Sequence, residues 1–312
     1  MARSAWLVVL VVTIALTAIL SGPATIAPAA TGGAPTPSGS PPPPPSRSGS
    51  PDPAPAAGTL SLISAKTSPR KSFYYGVHNP RVRYEIGSDQ PANDLRIDVV
   101  ADSGEVMRSF FRNDIAPEAP DSVRWDGTTS EGRPAPNGHY SFRIVPQSGG
   151  EAARRASSSA SSEPLSLSFD LYRFAFPILG AHEFGGAGGR FGAGRAGHTH
   201  EGQDVMADCG TPLVAARGGR VQYSGYQGAA GNYIVIDGKG TSFDTAYMHL
   251  LEPSPLQEGM TVRTGEPIGV VGQTGDATAC HLHFEIWTAP GWYEGGSPID
   301  PLPYLMKWDA YS

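Results

Sequence analysis

From about residue 58 to the C-terminus, apolar side chains tend to recur at every second position, not at every third or fourth. A period of two marks a β-strand with one face on a core. Val82, Tyr84 and Ile86 alternate with polar or charged neighbours. So do Leu95, Ile97 and Val99, then Tyr140, Phe142 and Ile144, and the run Leu165, Leu167, Phe169 and Leu171. Further strands are expected at Pro212–Val221, Asn232–Asp237, Phe243–Leu250, Thr261–Gly272 and His281–Trp287, with long loops near 181–200 and 251–259. No amphipathic stretch reaches three helical turns, and 39 glycines with 30 prolines favour turns over long helices. The expected class is all-β.

The chain has four expected segments. Residues 1–29 resemble an export signal: Arg3 gives positive charge, Ala5 to Leu20 is apolar apart from two threonines, and Ala27-Pro28-Ala29 is an A-x-A cleavage pattern. The alternative is an uncleaved membrane anchor; both readings place the rest of the chain outside the cytoplasm, secreted or in the cell envelope. Residues 30–57 are rich in Pro, Ser, Gly and Ala, with five prolines from Pro41 to Pro45, and cannot bury apolar surface; they are expected to be an extended spacer. Residues 58–174 hold short half-buried strands separated by turn signals such as Asp126-Gly127 and Asn137-Gly138, the pattern of a β-sandwich, with a Ser/Ala-rich loop near 151–163. Residues 175–312 form a second, glycine-rich antiparallel β domain.

A net charge of -6 without a basic patch argues against a nucleic-acid partner. The two cysteines, Cys209 and Cys280, are either a bridge or two buried thiols, and export to an oxidising compartment favours the bridge. It would add about 4 kcal/mol in the chain-entropy model.

Six of the eight histidines lie between His182 and His283. In His281-Leu282-His283-Phe284-Glu285-Ile286 the strand period puts His281, His283 and Glu285 on one face and the apolar residues on the other. Two imidazoles on an anchored strand make a rigid platform for a metal, or simply a polar surface. Glu285 is either a partner behind one of them or, more simply, a surface carboxylate. His200 and Asp204 are four apart with Gly202 between, so an imidazole and a carboxylate can converge on one cation. In Tyr247-Met248-His249-Leu250 the same period puts Tyr247 and His249 together, with Met248 and Leu250 toward the core. A bridge from Cys209 to Cys280 would bring the Asp204 segment beside the His281 strand.

Two resemblances follow. Trp125-Asp126-Gly127, Gly132 and Asn137-Gly138-His139-Tyr140 resemble the immunoglobulin-like module of flagellar hook-capping proteins. That implies a spacer, or a surface for a cell-envelope protein partner. The segment 176–304 resembles the lysostaphin-like zinc peptidases. It does so through His200-x-x-x-Asp204-Val205, Gly210-Thr211-Pro212-Leu213-Val214-Ala215-Ala216, Tyr247-Met248-His249-Leu250, Gly269-Val270-Val271-Gly272-Gln273-Thr274-Gly275 and His281-Leu282-His283-Phe284-Glu285. This resemblance implies the duplicated-hybrid-motif type of β fold, one Zn2+ on His200, Asp204 and His283, and His249 and His281 as catalytic residues. It also implies hydrolysis of peptidoglycan peptides by a protein expected to be a monomer. Members lacking ligands bind peptidoglycan or regulate amidases without catalysis, and no ligand is lacking here.

Three protein ligands leave a tetrahedral zinc one open position for water, the mark of a catalytic site. His281 is then expected to act as general base, and His249 to serve the oxyanion or the leaving amine with help from Tyr247; the two roles are interchangeable on this reading. His198 is expected at the rim, and His182 in a glycine-rich loop that could wall a narrow groove. The aromatic cluster Trp287, Trp292, Tyr293 and Trp308 is expected to serve mainly core packing. A closed structural zinc site would need reduced cysteines.

Overall fold

The computed structural model describes residues 60–147 and 167–312. The expected export signal, the spacer, the Ser/Ala-rich loop and Leu165 lie outside the described residues. Among the described residues no helix is long and apolar enough to cross a membrane.

The described residues of the first half form eight strands: β1 (Leu60–Ser68), β2 (Lys71–Phe73), β3 (Arg81–Ser88), β4 (Asn93–Ala101), β5 (Val106–Ile115), β6 (Asp121–Arg124), β7 (Gly138–Pro146) and β8 (Ser168–Tyr172). They form two sheets, β1-β3-β6 and β2-β8-β7-β4-β5. The inward residues of both sheets make one core: Val82, Tyr84 and Ile86 from β3 meet Leu95, Ile97 and Val99 from β4, Tyr140 and Phe142 from β7, and Phe169 and Leu171 from β8. Trp125 fills the centre, its indole N–H donating to Thr128 O at 2.7 Å. The alternation read from the sequence is thus the two inner faces of a sandwich.

The second half holds β9 (Glu183–Phe184), β10 (Gln203–Met206), β11 (Pro212–Val214), β12 (Gly219–Gln227), β13 (Gly231–Gly238), β14 (Phe243–Leu250), β15 (Thr261–Val262), β16 (Pro267–Val270), β17 (His281–Thr288) and β18 (Pro298–Ile299), then one short helix, α1 (Leu302–Asp309). The main sheet runs β15-β12-β13-β14-β17-β10-β9, with β18 also pairing β17, and β11-β16 form a two-stranded sheet. All of these pairings are antiparallel. The core lies on one face of the main sheet and includes Leu282, Phe284 and Ile286 of β17, Ile234 and Ile236 of β13, and Trp308 of α1.

Two expected strands are each broken in two. Pro212–Val221 stops at Val214 and resumes at Gly219, where the chain lies so close to β13 that a Cβ would fall 1.8 Å from Asp237 O. Thr261–Gly272 breaks at Gly265, whose φ of +81° no strand accommodates. The Cys209–Cys280 disulfide is present.

Candidate metal centre

Strand β17 is flanked by β14 on one side and β10 on the other. Its odd-numbered residues His281, His283 and Glu285 share the face opposite the core, as alternation requires. The β10 register sets Asp204 directly across from His283. Residues paired in this way project from the same face, so the carboxylate stands beside the imidazole. His200 reaches the same point from the approach to β10, and Gly202 makes that approach possible. A Cβ on Gly202 would lie 2.6 Å from both His283 Nε2 and Phe284 O.

Three ligand atoms converge. His200 Nε2 lies 2.9 Å from His283 Nδ1 and 3.0 Å from Asp204 Oδ1, and His283 Nδ1 lies 3.0 Å from the same oxygen. The other nitrogen of each ring is already a donor. His200 Nδ1 donates to Arg190 O at 2.9 Å, and His283 Nε2 donates to Glu285 Oε1 at 3.0 Å. In the neutral rings the converging nitrogens therefore carry lone pairs, and they face a carboxylate oxygen that can only accept. Three lone pairs aimed at one point are satisfied by a cation. Two imidazoles and one carboxylate suit zinc, whose tetrahedral ligand edges of about 3.3 Å are close to these spacings. Among the described residues this is the one such group. Without a cation the cluster draws in a proton. Burial alone would lower the His283 pKa, but hydrogen bonds to Asp204 and Glu285 outweigh it and raise the value to about 9. Burial alone would raise Asp204, yet its bonds with His200 and His283 hold it well below the usual carboxylate range.

The two remaining imidazoles stand at the edge of this cluster. His281 donates from Nδ1 to Ala279 O at 2.8 Å, and its Nε2 lies 3.6 Å from Asp204 Oδ1. His249 donates from Nδ1 to Thr274 O at 2.8 Å, with its ring 4.7 Å from that of His281. Burial and the neighbouring His281 lower the His249 pKa to about 4.

Tyr247 is not at the site, contrary to the alternation expected for β14. Its side chain is fully buried against Phe284, and its hydroxyl accepts the Ala216 N–H at 2.7 Å. The cause is a bulge near the end of β14, where the register against β13 shifts and His249 takes a φ of +64°. Tyr247 pairs with Phe284 on the core side, while Met248 pairs with His283 on the site side. The left-handed turn at His249 then brings its ring to the site side as well. Met248 lines the cleft and packs in a small apolar cluster with Ala230, Val235 and Ala246, apart from the main core.

Glu285 is only 3% exposed, which removes its reading as a surface carboxylate. Beside His283, it accepts the indole N–H groups of Trp287 at 2.7 Å and Trp292 at 2.9 Å, both on Oε2. The aromatic cluster is divided between two tasks. Trp308 packs in the core, whereas Trp292 and Tyr293 border the cleft. Tyr293 is 65% exposed and its hydroxyl donates to Glu201 Oε2 at 2.6 Å.

The cleft has a volume of about 990 Å³ and contains His200, Asp204, His249, His281 and His283 in its lining. The glycine-rich loop does form a wall: a Cβ on Gly185 would lie 2.9 Å from Asp204 O, and one on Gly189 3.0 Å from Asp204 Cβ. Arg195 Nη2 stands 3.7 Å from Asp204 Oδ2, a neighbour that the spacing did not reveal. His198 is an exposed rim residue. His182 points elsewhere, to Asp309 of α1 and the Phe176 ring, and His78 and His139 lie in the sandwich half.

Residues 198–301 match the family model described as Peptidase family M23. Over 86 residues the chain is 41% identical to the peptidoglycan DD-endopeptidase ShyC of Vibrio cholerae, covering 28% of this chain and 19% of that protein. Over 107 residues it is 37% identical to the DD-carboxypeptidase/endopeptidase Mpg of Neisseria meningitidis, covering 34% and 23%. Among solved structures, the catalytic domain of lysostaphin from Staphylococcus simulans is 31% identical, covering 40% of this chain and 92% of that one with a TM-score of 0.35. The chain spans about a fifth of the length of the first curated relatives that it matches. The matched segment holds all five imidazole and carboxylate groups that meet in the cleft, and it is this segment, residues 198–301, that is similar to peptidase family M23.

Proposed function

We propose that this protein is a zinc-dependent endopeptidase that hydrolyses cross-links or stem peptides of bacterial peptidoglycan. The observation that carries the reading is the meeting of three lone-pair donors, His200, Asp204 and His283, within 3.0 Å of one another in an open cleft beside two further imidazoles. Zinc held there would polarise a peptide carbonyl and bring the pKa of a water from about 15.7 toward about 7.

The chain's own groups would do the rest. His281 has its Nδ1 proton committed to Ala279 O, so its Nε2 lone pair faces the ligand cluster and can take a proton from the attacking water. His249 is pinned in the same way by Thr274 O. Its low pKa leaves Nε2 unprotonated at rest, so the proton that it would deliver to the leaving amine is the one that His281 takes from the water. The proximity of the two rings disfavours charge on both together, so beyond the two Nδ1 protons the pair would carry at most one more at a time. Asp204, held ionised, offsets the cation's charge.

The peptidoglycan substrate rests on the names of the Vibrio and Neisseria relatives. The export signal read from residues 1–29 would place the enzyme where that substrate is. The sandwich strands would be an immunoglobulin-like spacer or partner-binding module. A non-catalytic wall-binding or amidase-regulating role is the alternative, and the presence of all five groups favours the enzyme. The test is turbidity loss of purified cell walls with bound zinc, after chelation, and after zinc is restored. Lysis should follow the metal. Zinc-loaded protein that binds walls without lysing them would support the alternative.

A further inference from the structure

We propose that residues 273–280 are a positioning loop that sets both non-ligand histidines together, and that the Cys209–Cys280 bond anchors the loop in that role. The catalytic part of this inference rests on the reading of His249 and His281 given above.

The loop leaves and returns at one place. Gly272 and His281 form an isolated bridge, with the His281 N–H donating to Gly272 O at 3.2 Å. Near its start, Thr274 O accepts the Nδ1 proton of His249; near its end, Ala279 O accepts that of His281, both at 2.8 Å. A carbonyl can only accept, so each bond fixes both the ring plane and the tautomer, leaving Nε2 for chemistry. One eight-residue segment therefore orients two rings that reach the cleft from different strands.

The two ends of the loop are anchored differently. At the start, Thr274 Oγ1 donates to Leu250 O at 2.7 Å and accepts the Asn232 N–H at 3.0 Å, and the Asp276 N–H donates to Ala229 O at 2.9 Å. Gly231 and Gly275 face each other so closely that a Cβ on Gly275 would fall 2.3 Å from Gly231 N. At the end, Cys280 is tied to Cys209 in the connection after β10. That connection is itself held by bonds from Gly210 N to Val271 O and from Val271 N to Thr211 O, both at 2.8 Å. The three ligands have holds apart from either anchor, because His200 is set by Arg190 O, His283 by Glu285 and Asp204 by the pairing of β10 with β17. Loss of the bridge should therefore disturb proton handling and spare the metal.

The experiment uses the full chain with Cys209→Ser and Cys280→Ser together, without thiol reductants because these bind zinc. Zinc affinity is read by competition with a chromophoric chelator, and kcat and KM on a purified cross-linked muropeptide. Long-range ¹H–¹⁵N spectra of the histidine rings read the tautomers independently of turnover. The expected result is a fall in kcat of about a hundredfold, the scale of a displacement near 1 Å, with zinc affinity unchanged. His281 should exchange between tautomers in the variant and show a single Nδ1–H form in the parent. Unchanged kcat and tautomers, or kcat and zinc affinity falling together, would overturn the proposal. If the double variant does not fold, Gly275→Ala, which keeps the bridge and pushes on the loop's start, decides in the same way, with His249 as the ring that moves. A parent protein that shows locked tautomers but no hydrolysis would remove the enzymatic reading and leave the loop's hold on the rings supported.

Discussion

Glu285 lies directly behind His283, its Oε1 3.0 Å from Nε2, on the far side of the ring from His200 and Asp204. The same carboxylate accepts two indole N–H groups on its other oxygen. Three donors thus depend on two acceptor oxygens, and an amide would supply only one. Glu285→Gln should leave a donor unmet and loosen His283, lowering zinc affinity by about tenfold to a hundredfold. A chelator competition titration checks this, and affinity equal to the parent's would show that the carboxylate plays no part in holding the ligand.

Tyr247 provides the opposite test. Its hydroxyl serves the Ala216 N–H in the core and does not reach the cleft. Tyr247→Phe should keep kcat and zinc affinity while costing about 1–3 kcal/mol of stability through the unpaired amide. Urea unfolding and cell-wall turbidity assays run on the same preparation measure both. Lost activity with full stability would restore Tyr247 to the site.

Gly202 is the position where sterics most directly limit the metal cluster. A methyl group there would meet His283 Nε2 and Phe284 O at 2.6 Å. Gly202→Ala should displace His283 from His200 and abolish stoichiometric zinc, with a loss of about 1–3 kcal/mol from the overpacked contact. Atomic absorption on dialysed protein gives the answer, and one zinc per chain in the variant would contradict the geometry.

In the sandwich, Asp98 is buried between Arg96 and Arg143 and accepts the Ser109 hydroxyl at 2.7 Å. Burial alone would raise its pKa, but the hydrogen bonds from Ser109 and Arg143 and the charge of Arg96 prevail and lower it. A lowered folded-state value stabilises the protein above the unfolded carboxylate pKa of about 3.9, and that stabilisation disappears as pH falls through the folded value. Asp98→Asn should therefore lower stability at pH 7 and flatten its decline as pH falls below about 4. Denaturant midpoints across that range test the sign; parallel parent and variant curves would disprove it.

The sequence made the strands legible wherever one face is apolar and the other polar, as in Val82–Ile86 or His281–Ile286. It hid β10, because Gln203–Met206 is too short to show a period, although its pairing places Asp204. It misplaced Tyr247 because a bulge at a non-glycine residue with positive φ leaves no mark on the alternation. It undervalued Glu285 because the indoles that bury it come from β17 itself and from the turn at Trp292. The pairing of Cys209 with Cys280 was legible from their number and from the export signal expected at residues 1–29, but the carbonyls that hold His249 and His281 are backbone atoms, and side-chain identity does not announce them.

The central claim is that His200, Asp204 and His283 hold a metal at which peptide bonds of peptidoglycan are broken. Mass spectrometry of fragments released from purified sacculi tests it most directly, comparing the parent protein, the parent after chelation, the chelated parent with zinc restored, and His283→Ala. The account predicts new peptide amines and carboxylates from the parent and the zinc-restored protein only. An unchanged muropeptide profile from protein carrying one zinc, or release by glycan cleavage instead, would contradict it.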